Sequence, residues 1–398
     1  ENDLNNFVKN GKPRFNIRSE YFPAYEVPET KLDGFPEGYS DENMEFSAEK
    51  LSEIVEGDQM RNSLLPLLEN YKDWINVQKQ NISPKHKDSD EISVKECEDV
   101  LKRLNEGLNL LSQDKEVRLA FNFANKAISI QNSWPKNVSE FKWRPFQIAF
   151  ILMNLKGIAN RNDEGREECD LLWFPTGGGK TEAYLGLMAF VLAFTRIKYG
   201  VSSYGVNVIT RYTLRLLTQQ QFRRTSKLIT ACEFLRNRKN QFNNYGWLPK
   251  NYNLPINDYL WGEFPFSIGL WVGGDVTPNS LISNESRMSL SLGAIEKLKL
   301  IKNGRYEGQD PRWVNKVKKG NTWRSGIRDT GEPAQILNCP ACDTYLSVPK
   351  IMESNESIEL YLYFKVINSD DFDENKFKEL ISKDELGPAR IKSIFLED

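Results

Sequence analysis

Hydrophobic residues recur at helical spacing through the first third of the chain. From Ala48 onward they follow one another in steps of three and four residues, which places them on one face of a helix. The repeating positions are Leu64, Leu65, Leu67, Leu68, Tyr71, Trp74 and Ile75, then Val100, Leu101, Leu104, Leu108 and Leu111, and then Phe121, Phe123, Ala127 and Ile128. This pattern predicts an α-helical N-terminal domain over residues 46–135. Residues 1–45 are rich in proline, glycine and charge and show no period, so we predict an extended arm there.

After residue 136 the pattern changes to short apolar runs that alternate with helical stretches. The runs at residues 171–174, 206–210 and 266–272 are typical of buried strands, and each of the first two leads into a helical stretch. Strands that alternate with helices favour a parallel sheet covered by helices. The fold class predicted for residues 136–338 is therefore α/β, behind the α-helical domain.

Composition narrows the setting of the protein. The chain has 398 residues, enough for two or three domains, and its formal net charge of −2 means that any nucleic-acid binding must come from local basic clusters. Five cysteines, an odd number with the first three widely scattered, indicate a reducing compartment. The longest apolar stretch, residues 183–194, is shorter than the roughly 18–20 residues that span a bilayer, and the start of the chain does not resemble a signal peptide. We expect a soluble, cytoplasmic protein that does not bind a membrane.

A glycine-rich loop separates the first predicted strand from its helix. Residues 175–181 read PTGGGKT, in the strand–loop–helix setting that phosphate loops require. Gly177–Gly179 let backbone N–H groups approach phosphate oxygens, and the helix that follows adds its positive N-terminal dipole. Lys180 can reach the β- and γ-phosphates, and the Thr181 hydroxyl can ligate Mg²⁺. We predict that the loop binds ATP and Mg²⁺, with Lys180 and Thr181 as catalytic residues; a glycine turn without ligand is the alternative.

The same loop resembles motif I of superfamily 2 helicases. The resemblance implies a RecA-like P-loop NTPase domain, with a parallel sheet and flanking helices, for residues 136–338. In that superfamily an upstream Arg-x-x-Gln element contacts adenine, so Arg144 and Gln147 are implied to hold the base; a polar helix N-terminus is the alternative. The residues expected to bind the nucleotide are Arg144, Gln147, Pro175, Thr176, Gly177, Gly178, Gly179, Lys180, Thr181 and Glu182.

Two further segments resemble helicase motifs that contact the nucleic-acid backbone. The basic stretch at residues 211–224 looks like motif Ia, and the glycine pair after residue 272 looks like the motif whose N–H groups approach the phosphodiester chain. The implied nucleic-acid contacts are Arg211, Thr213, Arg215, Gln219, Gly273 and Gly274. A solvated helix face and a plain turn at the end of a strand are the alternatives.

Longer strings are similar to a narrower family, the DrmA-like helicases of the bacterial antiphage system DISARM. The similarity covers roughly residues 97–345, and the strings that carry it are LLWFPTGGGKTEAYLG at 171–186, RYTLRLLT at 211–218, GLWVGG at 269–274, AFNFANKA at 120–127 and WRPFQ at 143–147. The resemblance implies a large helicase-like ATPase that acts on foreign DNA, either single-stranded or duplex with an overhang. It also implies a DrmB-like partner protein.

The sequence departs from the superfamily at motif II, an apolar strand that ends in Asp-Glu and serves Mg²⁺ and the attacking water. The nearest segment, residues 394–398, has the two acids in the opposite order. One interpretation is that the chain is the N-terminal part of a longer ATP-driven motor on DNA. The alternative is a non-catalytic DNA-binding and assembly subunit with a residual ATP site. A P-loop NTPase outside the helicases, insensitive to nucleic acid, is the third.

Cys339 and Cys342 have the Cys-x-x-Cys spacing that supplies half of a tetrahedral zinc site. No second pair follows them in the sequence, whereas in the resembled family a second pair lies further on. Zn²⁺ is therefore a candidate cofactor beside ATP and Mg²⁺, and an incidental pair is the alternative. Residues 339–398 are predicted to be half of a zinc knuckle followed by an insertion.

Overall fold

The computed structural model describes most of the chain between residues 45 and 272. The described ranges are 45–134, 140–172, 178–212, 215–253 and 259–272, with residues 8–9, 12–13, 284–285, 290–291, 318–319, 322–323, 336, 339–342, 350–353 and 358–361. The α-helices in these ranges are α1 (Ala48–Ser52), α2 (Gly57–Gln80), α3 (Lys87–Gln113), α4 (Lys115–Ser133), α5 (Pro145–Ala159), α6 (Lys180–Tyr199) and α7 (Arg215–Asn237). Two short 3₁₀ helices, Glu164–Glu167 and Gly200–Ser203, accompany them.

The strands in the described residues form four separate antiparallel pairs. They are β1 (Val8–Lys9) with β2 (Lys12–Pro13), β3 (Asn284–Glu285) with β4 (Leu290–Ser291), β5 (Lys318–Lys319) with β6 (Thr322–Trp323), and β7 (Lys350–Glu353) with β8 (Ile358–Tyr361). Each sheet has two strands, and in the longest pair Lys350 lies opposite Tyr361. A pair of this size contributes little stability by itself.

Capping residues fix where several helices begin. The Ser47 side chain accepts a hydrogen bond from the Lys50 N–H at 3.1 Å and starts α1. The Asp114 carboxylate accepts from the N–H groups of Glu116 and Val117 at 2.8 and 3.1 Å and starts α4. Each cap satisfies N–H groups that have no partner within the first turn of a helix. The helical periodicity predicted in the first third of the chain is confirmed by α2, α3 and α4.

Helix α4 is the centre of the core and is buried on almost every side. It packs against α1, α3, α6 and α7. Its buried apolar residues are Val117, Leu119, Ala120, Phe121, Phe123, Ala124, Ala127 and Ile128. The Phe123 ring lies 4.3 Å from the Trp261 ring and 6.0 Å from the Phe266 ring, centroid to centroid. A helix that is buried on most of its sides is typical of the middle of a bundle.

Buried polar side chains on α4 hold the connection between α1 and α2. The Asn122 Nδ2 donates to the carbonyl oxygens of Leu51 and Ile54 at 2.8 and 3.0 Å. The Arg118 Nε donates to the Val55 carbonyl oxygen at 2.6 Å. These bonds matter because an unpaired buried amide or guanidinium would cost about 1–3 kcal/mol or more.

Helices α3 and α5 approach closely at Gly107. A Cβ atom at this position would lie 2.0 Å from the carbonyl oxygen of Leu152, a backbone atom on α5 that cannot rotate away. Any larger residue at position 107 therefore pushes the two helices apart.

Cys232 on helix α7 is fully buried. This burial raises the pKa of its thiol.

Helix α6 combines length with apolar composition. Among the residues that the structure describes, only Lys180–Ser203, which is α6 with the 3₁₀ helix that follows it, is long and apolar enough to cross a membrane by those two criteria. Within its most apolar window, 44% of the residues are buried inside the molecule. It also packs against α4, α5 and α7. These contacts are those of a core helix, so α6 by itself gives little support for a membrane location.

The predicted α/β fold class is wrong for the part of the chain that the structure describes. Helices make up most of that part, its strands are isolated two-stranded antiparallel pairs, and it contains no parallel sheet of the RecA type. The described residues of the three predicted strands, 171–172, 206–210 and 266–272, adopt no strand pairing. Residues 173 and 174 lie outside the described residues.

The reason for this error is visible in the side chains of those segments. Part of each of the last two packs on the helical core, through Val208, Phe266 and Ile268. Other apolar side chains of the three segments are exposed: Leu171, Val206, Ile209 and Trp271 are 87%, 82%, 85% and 99% accessible. The apolar runs predicted strands buried on both faces, whereas the described residues of these segments are buried only in part. A strand also needs neighbours to satisfy its N–H and C=O groups, whereas a helix satisfies them internally.

Most of the buried apolar residues between Phe46 and Phe266 form one continuous cluster. It includes Trp143 and Leu152 as well as residues of α1 to α4, so helices on both sides of position 135 share a core. The division of the chain at residues 45, 135 and 338 stays a prediction. Most of the predicted arm at residues 1–45 lies outside the described residues.

Candidate nucleotide-binding site

The described part of the glycine loop ends in a left-handed residue that begins a helix. Gly179 has φ +88°, and a Cβ atom there would lie 2.7 Å from the Gln147 Nε2. The backbone angle therefore favours glycine, and a Cβ atom here would also displace the Gln147 side-chain amide from the loop. Helix α6 begins at the next residue, so its positive dipole and the first-turn N–H groups, which have no acceptor within the helix itself, lie beside the loop. Pro175, Thr176 and Gly177 lie outside the described residues.

Arg144 and Gln147 are brought directly to this loop from the start of α5. The Arg144 Nη1 donates to the Gly178 carbonyl oxygen at 2.9 Å, and the Gln147 Nε2 donates to the Gly179 carbonyl oxygen at 2.7 Å. The Gln147 Oε1 in turn accepts from the Arg144 N–H at 2.8 Å. Pro145, at the first position of α5, sets the direction of the helix. The Arg-x-x-Gln spacing thus clamps the loop backbone, a contact that the sequence did not predict.

Lys180, Thr181 and Glu182 occupy the first turn of α6, and all three are half-buried. The Glu182 carboxylate forms an ion pair with the guanidinium of Arg224, which lies on α7. The Glu182 Oε2 lies 3.6 Å from where a Cβ atom would stand on Gly179, so this carboxylate is next to the loop. The structure therefore groups Arg144, Gln147 and the described part of residues 178–182 in one place.

A second ion pair holds the chain just before the loop. The Arg103 guanidinium on α3 donates to both carboxylate oxygens of Asp170, at 2.6 and 2.8 Å, and its Nη1 lies 3.0 Å from the Glu168 Oε2. The bonds to Asp170 raise the pKa of Arg103. Two parallel bonds fix direction as well as distance. Sequence reasoning missed this pair because 67 residues separate its members.

Of the predicted nucleic-acid contacts, Arg211, Arg215 and Gln219 lie in the described part of the chain. Arg211 is exposed, just before α7, and Arg215 is the first residue of that helix. Gln219 also lies on α7. For Arg215 and Gln219 the structure describes the helical backbone but not the side chains. Thr213, Gly273 and Gly274 lie outside the described residues. Arg211 and α7 are therefore the described parts of the predicted DNA-binding surface.

The two cysteines of the predicted zinc knuckle lie in a short described piece, residues 339–342. Cys339 is half-buried, Cys342 is exposed, and burial raises the pKa of the Cys339 thiol. A zinc ligand must be a thiolate, and four ligands are needed. Among the described residues no group of three or more His, Cys, Asp or Glu side chains could hold a metal ion. Zinc binding by this pair therefore stays a prediction.

Comparison with known proteins identifies a relative of this chain. No protein-family model matches this chain. The sequence is 32% identical over 329 residues to the DISARM protein DrmA of Bacillus paralicheniformis, an alignment that covers 71% of this chain. The same alignment covers 27% of the relative, so the chain spans about a quarter of the length of the protein it matches.

Proposed function

Because this chain is a DrmA-like DISARM component by its sequence, we propose that it is the nucleotide-binding part of an ATP-driven motor that acts on DNA in antiphage defence. The observation that carries the proposal is the join between the glycine loop and α6. Gly179 turns the chain, α6 offers its N-terminus, and Lys180 and Thr181 stand in the first turn. This combination of loop, helix dipole, ammonium and hydroxyl suits a nucleoside triphosphate with Mg²⁺.

Each residue near the loop has a role in the proposal. The N–H groups of Gly177, Gly178 and Gly179 bind phosphate oxygens, with Lys180 on the β- and γ-phosphates. The Thr181 hydroxyl ligates Mg²⁺, which screens the phosphate charge when bound. Arg144 and Gln147 hold the base, as the helicase resemblance implies. What supports this role is that both side chains bond to the loop backbone, at the carbonyl oxygens of Gly178 and Gly179.

DNA is the second ligand of the proposed motor. We assign its backbone contacts to Arg211, Thr213, Arg215, Gln219, Gly273 and Gly274. Arg211 is exposed beside the start of α7, and backbone contact by arginine and threonine is independent of base sequence. A DrmB-like partner, and Zn²⁺ held by Cys339 and Cys342 with ligands from elsewhere, complete the proposed assembly.

A non-catalytic DNA-binding and assembly subunit is the second candidate. The observation in its favour is that the sequence has no apolar strand ending in Asp-Glu to orient the attacking water. Turnover separates the two candidates, since both bind ATP and DNA. The third reading, a P-loop NTPase outside the helicases, would hydrolyse ATP at a rate that DNA does not change.

The test is Mg-ATP hydrolysis by this chain with and without single-stranded DNA. Lys180→Ala removes the ammonium from the loop, and Lys198→Ala, which removes an exposed lysine from the far end of α6, is the matched control. We expect DNA to stimulate hydrolysis and Lys180→Ala to abolish it, with Lys198→Ala unchanged. ATP binding without hydrolysis would support the non-catalytic subunit. Unaltered hydrolysis in Lys180→Ala would refute the proposed site.

A further inference from the structure

Glu182 is an acidic residue placed beside a loop built for anions. It stands in the first turn of α6, where the helix dipole favours a carboxylate, and its Oε2 lies close to Gly179. A phosphate on the same loop would meet this negative charge at short range. Unless the charge is neutralised, it opposes phosphate binding.

Arg224 supplies that neutralisation from another helix. Its guanidinium pairs with the Glu182 carboxylate across 42 residues of sequence. The two side chains are only 21% (Glu182) and 37% (Arg224) accessible, so the pair is partly shielded from solvent and from salt. A charge interaction in such a place is stronger than on an open surface.

The ion pair also joins the two proposed ligand sites. Glu182 belongs to the helix that begins at the glycine loop, and Arg224 belongs to the helix whose first residue, Arg215, is a proposed DNA contact. A movement of the first turn of α6 toward a bound triphosphate therefore pulls on α7. A movement of α7 against DNA in turn shifts the carboxylate beside the phosphates.

We propose that Arg224 is a positioning residue, which neutralises Glu182 for triphosphate binding and couples the glycine loop to DNA binding at α7. The inference rests on the proposed nucleotide and DNA sites. Thermodynamic linkage requires the coupling to be reciprocal: DNA changes the affinity for nucleotide by the same factor by which nucleotide changes the affinity for DNA.

The nucleotide half of the proposal is tested by measuring the Kd of a non-hydrolysable ATP analogue with Mg²⁺. Arg224→Gln leaves the Glu182 carboxylate unpaired beside the loop, and we expect affinity to fall about tenfold. Glu182→Gln removes the repelling charge, so the double variant Glu182→Gln/Arg224→Gln should recover affinity to within about threefold of the wild type. A purely structural role of Arg224 predicts no such recovery.

The coupling half is tested by repeating these titrations with saturating fluorescein-labelled oligothymidine. We expect the wild-type Kd for the analogue to shift when DNA is bound, and the double variant to lose that shift although its affinity has recovered. Arg224→Lys, which keeps the charge, should retain part of it. Lys227→Gln removes one positive charge from the same helix and is the matched control, with the shift preserved.

The outcomes separate this inference from the function on which it rests. A wild-type chain that binds neither the analogue nor DNA refutes the proposed function and the inference together. Binding of both ligands, with a DNA-dependent shift that survives in the double variant, refutes the coupling alone. Failure of Glu182→Gln to rescue Arg224→Gln, in variants that keep the wild-type melting temperature, refutes the charge argument.

Discussion

The helices around α4 and the segments around the glycine loop differ in how far their apolar side chains are buried. Leu64, Leu108 and Phe123 are completely buried in the helical core. Leu171 and Trp271, which flank the loop and the predicted Gly273–Gly274 motif, are almost completely exposed. A helix forms its backbone hydrogen bonds internally and gains stability by packing its apolar face against other helices. An extended segment needs neighbouring strands along its whole length to form its backbone hydrogen bonds. The stability of the molecule is therefore concentrated in the helices, and its proposed chemistry lies at their edge.

The largest expected effect is at the centre of the packed region. Phe123→Ala removes a fully buried ring that contacts Trp261 and Phe266 and leaves a cavity inside the core. We expect the free energy of unfolding to fall by about 3–5 kcal/mol, measured by urea denaturation. A loss below about 1 kcal/mol would mean that α4 is not the centre of the core, and would contradict the difference in burial between the helical region and the loop segments.

The next effect tests the connection between the two regions. Arg103→Gln leaves Asp170 without its bidentate partner just before the glycine loop, and we expect a loss of about 1–2 kcal/mol in the free energy of unfolding. Lys156→Gln removes one partner of a more exposed pair with Glu106 and Asp163, and should cost less than about 1 kcal/mol. Equal losses in both variants would show that the bidentate geometry adds nothing.

A smaller effect concerns pH within the helical region. Burial alone raises the pKa of Glu49 on α1, but hydrogen bonds from Lys126 and Ser129 on α4 outweigh it and lower the pKa below 4.5. The stability that this carboxylate contributes is therefore present above pH 4.5 and is lost as pH falls through the lowered value. Because the Glu49 side chain is 42% exposed, solvent screening limits the effect to less than about 1 kcal/mol. Thermal melts of Glu49→Gln should show a shallower acid slope than the wild type; an identical slope would contradict the assignment.

The smallest effect belongs to the exposed region. Trp271→Ala removes a large side chain that is 99% accessible, so we expect the free energy of unfolding to change by no more than about 0.5 kcal/mol. The same denaturation assay as for Phe123→Ala gives a direct contrast between two aromatic residues. A loss comparable to that of Phe123→Ala would show that the loop segments are packed in solution, and would remove the distinction between the regions.

The parts of the fold that depend on local sequence could be predicted. The spacing of residues such as Leu64, Leu108 and Ile128 follows the helical period, and the helices lie where it places them. The glycine loop could also be located, because Gly179 and α6 need only neighbouring residues. Whether the apolar runs form strands could not be predicted, because the burial of residues such as Val206 and Trp271 depends on the elements that pack against them rather than on their own pattern.

The site residues divide in the same way. The grouping of Lys180 and Thr181 on the first turn of α6 follows from their adjacency. The bonds from Arg144 and Gln147 to the loop, and the Glu182–Arg224 pair, join residues 32 to 42 positions apart, and no local pattern encodes such distances. Sequence reasoning named Arg144, Gln147 and Glu182 but could not assign the partners that these side chains have in the folded chain.

The buried thiol of Cys232 can report how often α7 separates from the core. Only an accessible thiolate reacts with an alkylating reagent, and Cys232 meets neither condition while α7 stays packed, whereas Cys169 lies open to solvent. When the reagent is concentrated enough to react before the helix recloses, modification of Cys232 proceeds at the rate at which α7 detaches from the core, with Cys169 as the fast internal standard in the same sample. A ligand that holds α7 against the core slows the alkylation of Cys232 and leaves that of Cys169 unchanged. The time course of labelling, followed by mass spectrometry, therefore measures how the ligand affects the opening of this helix.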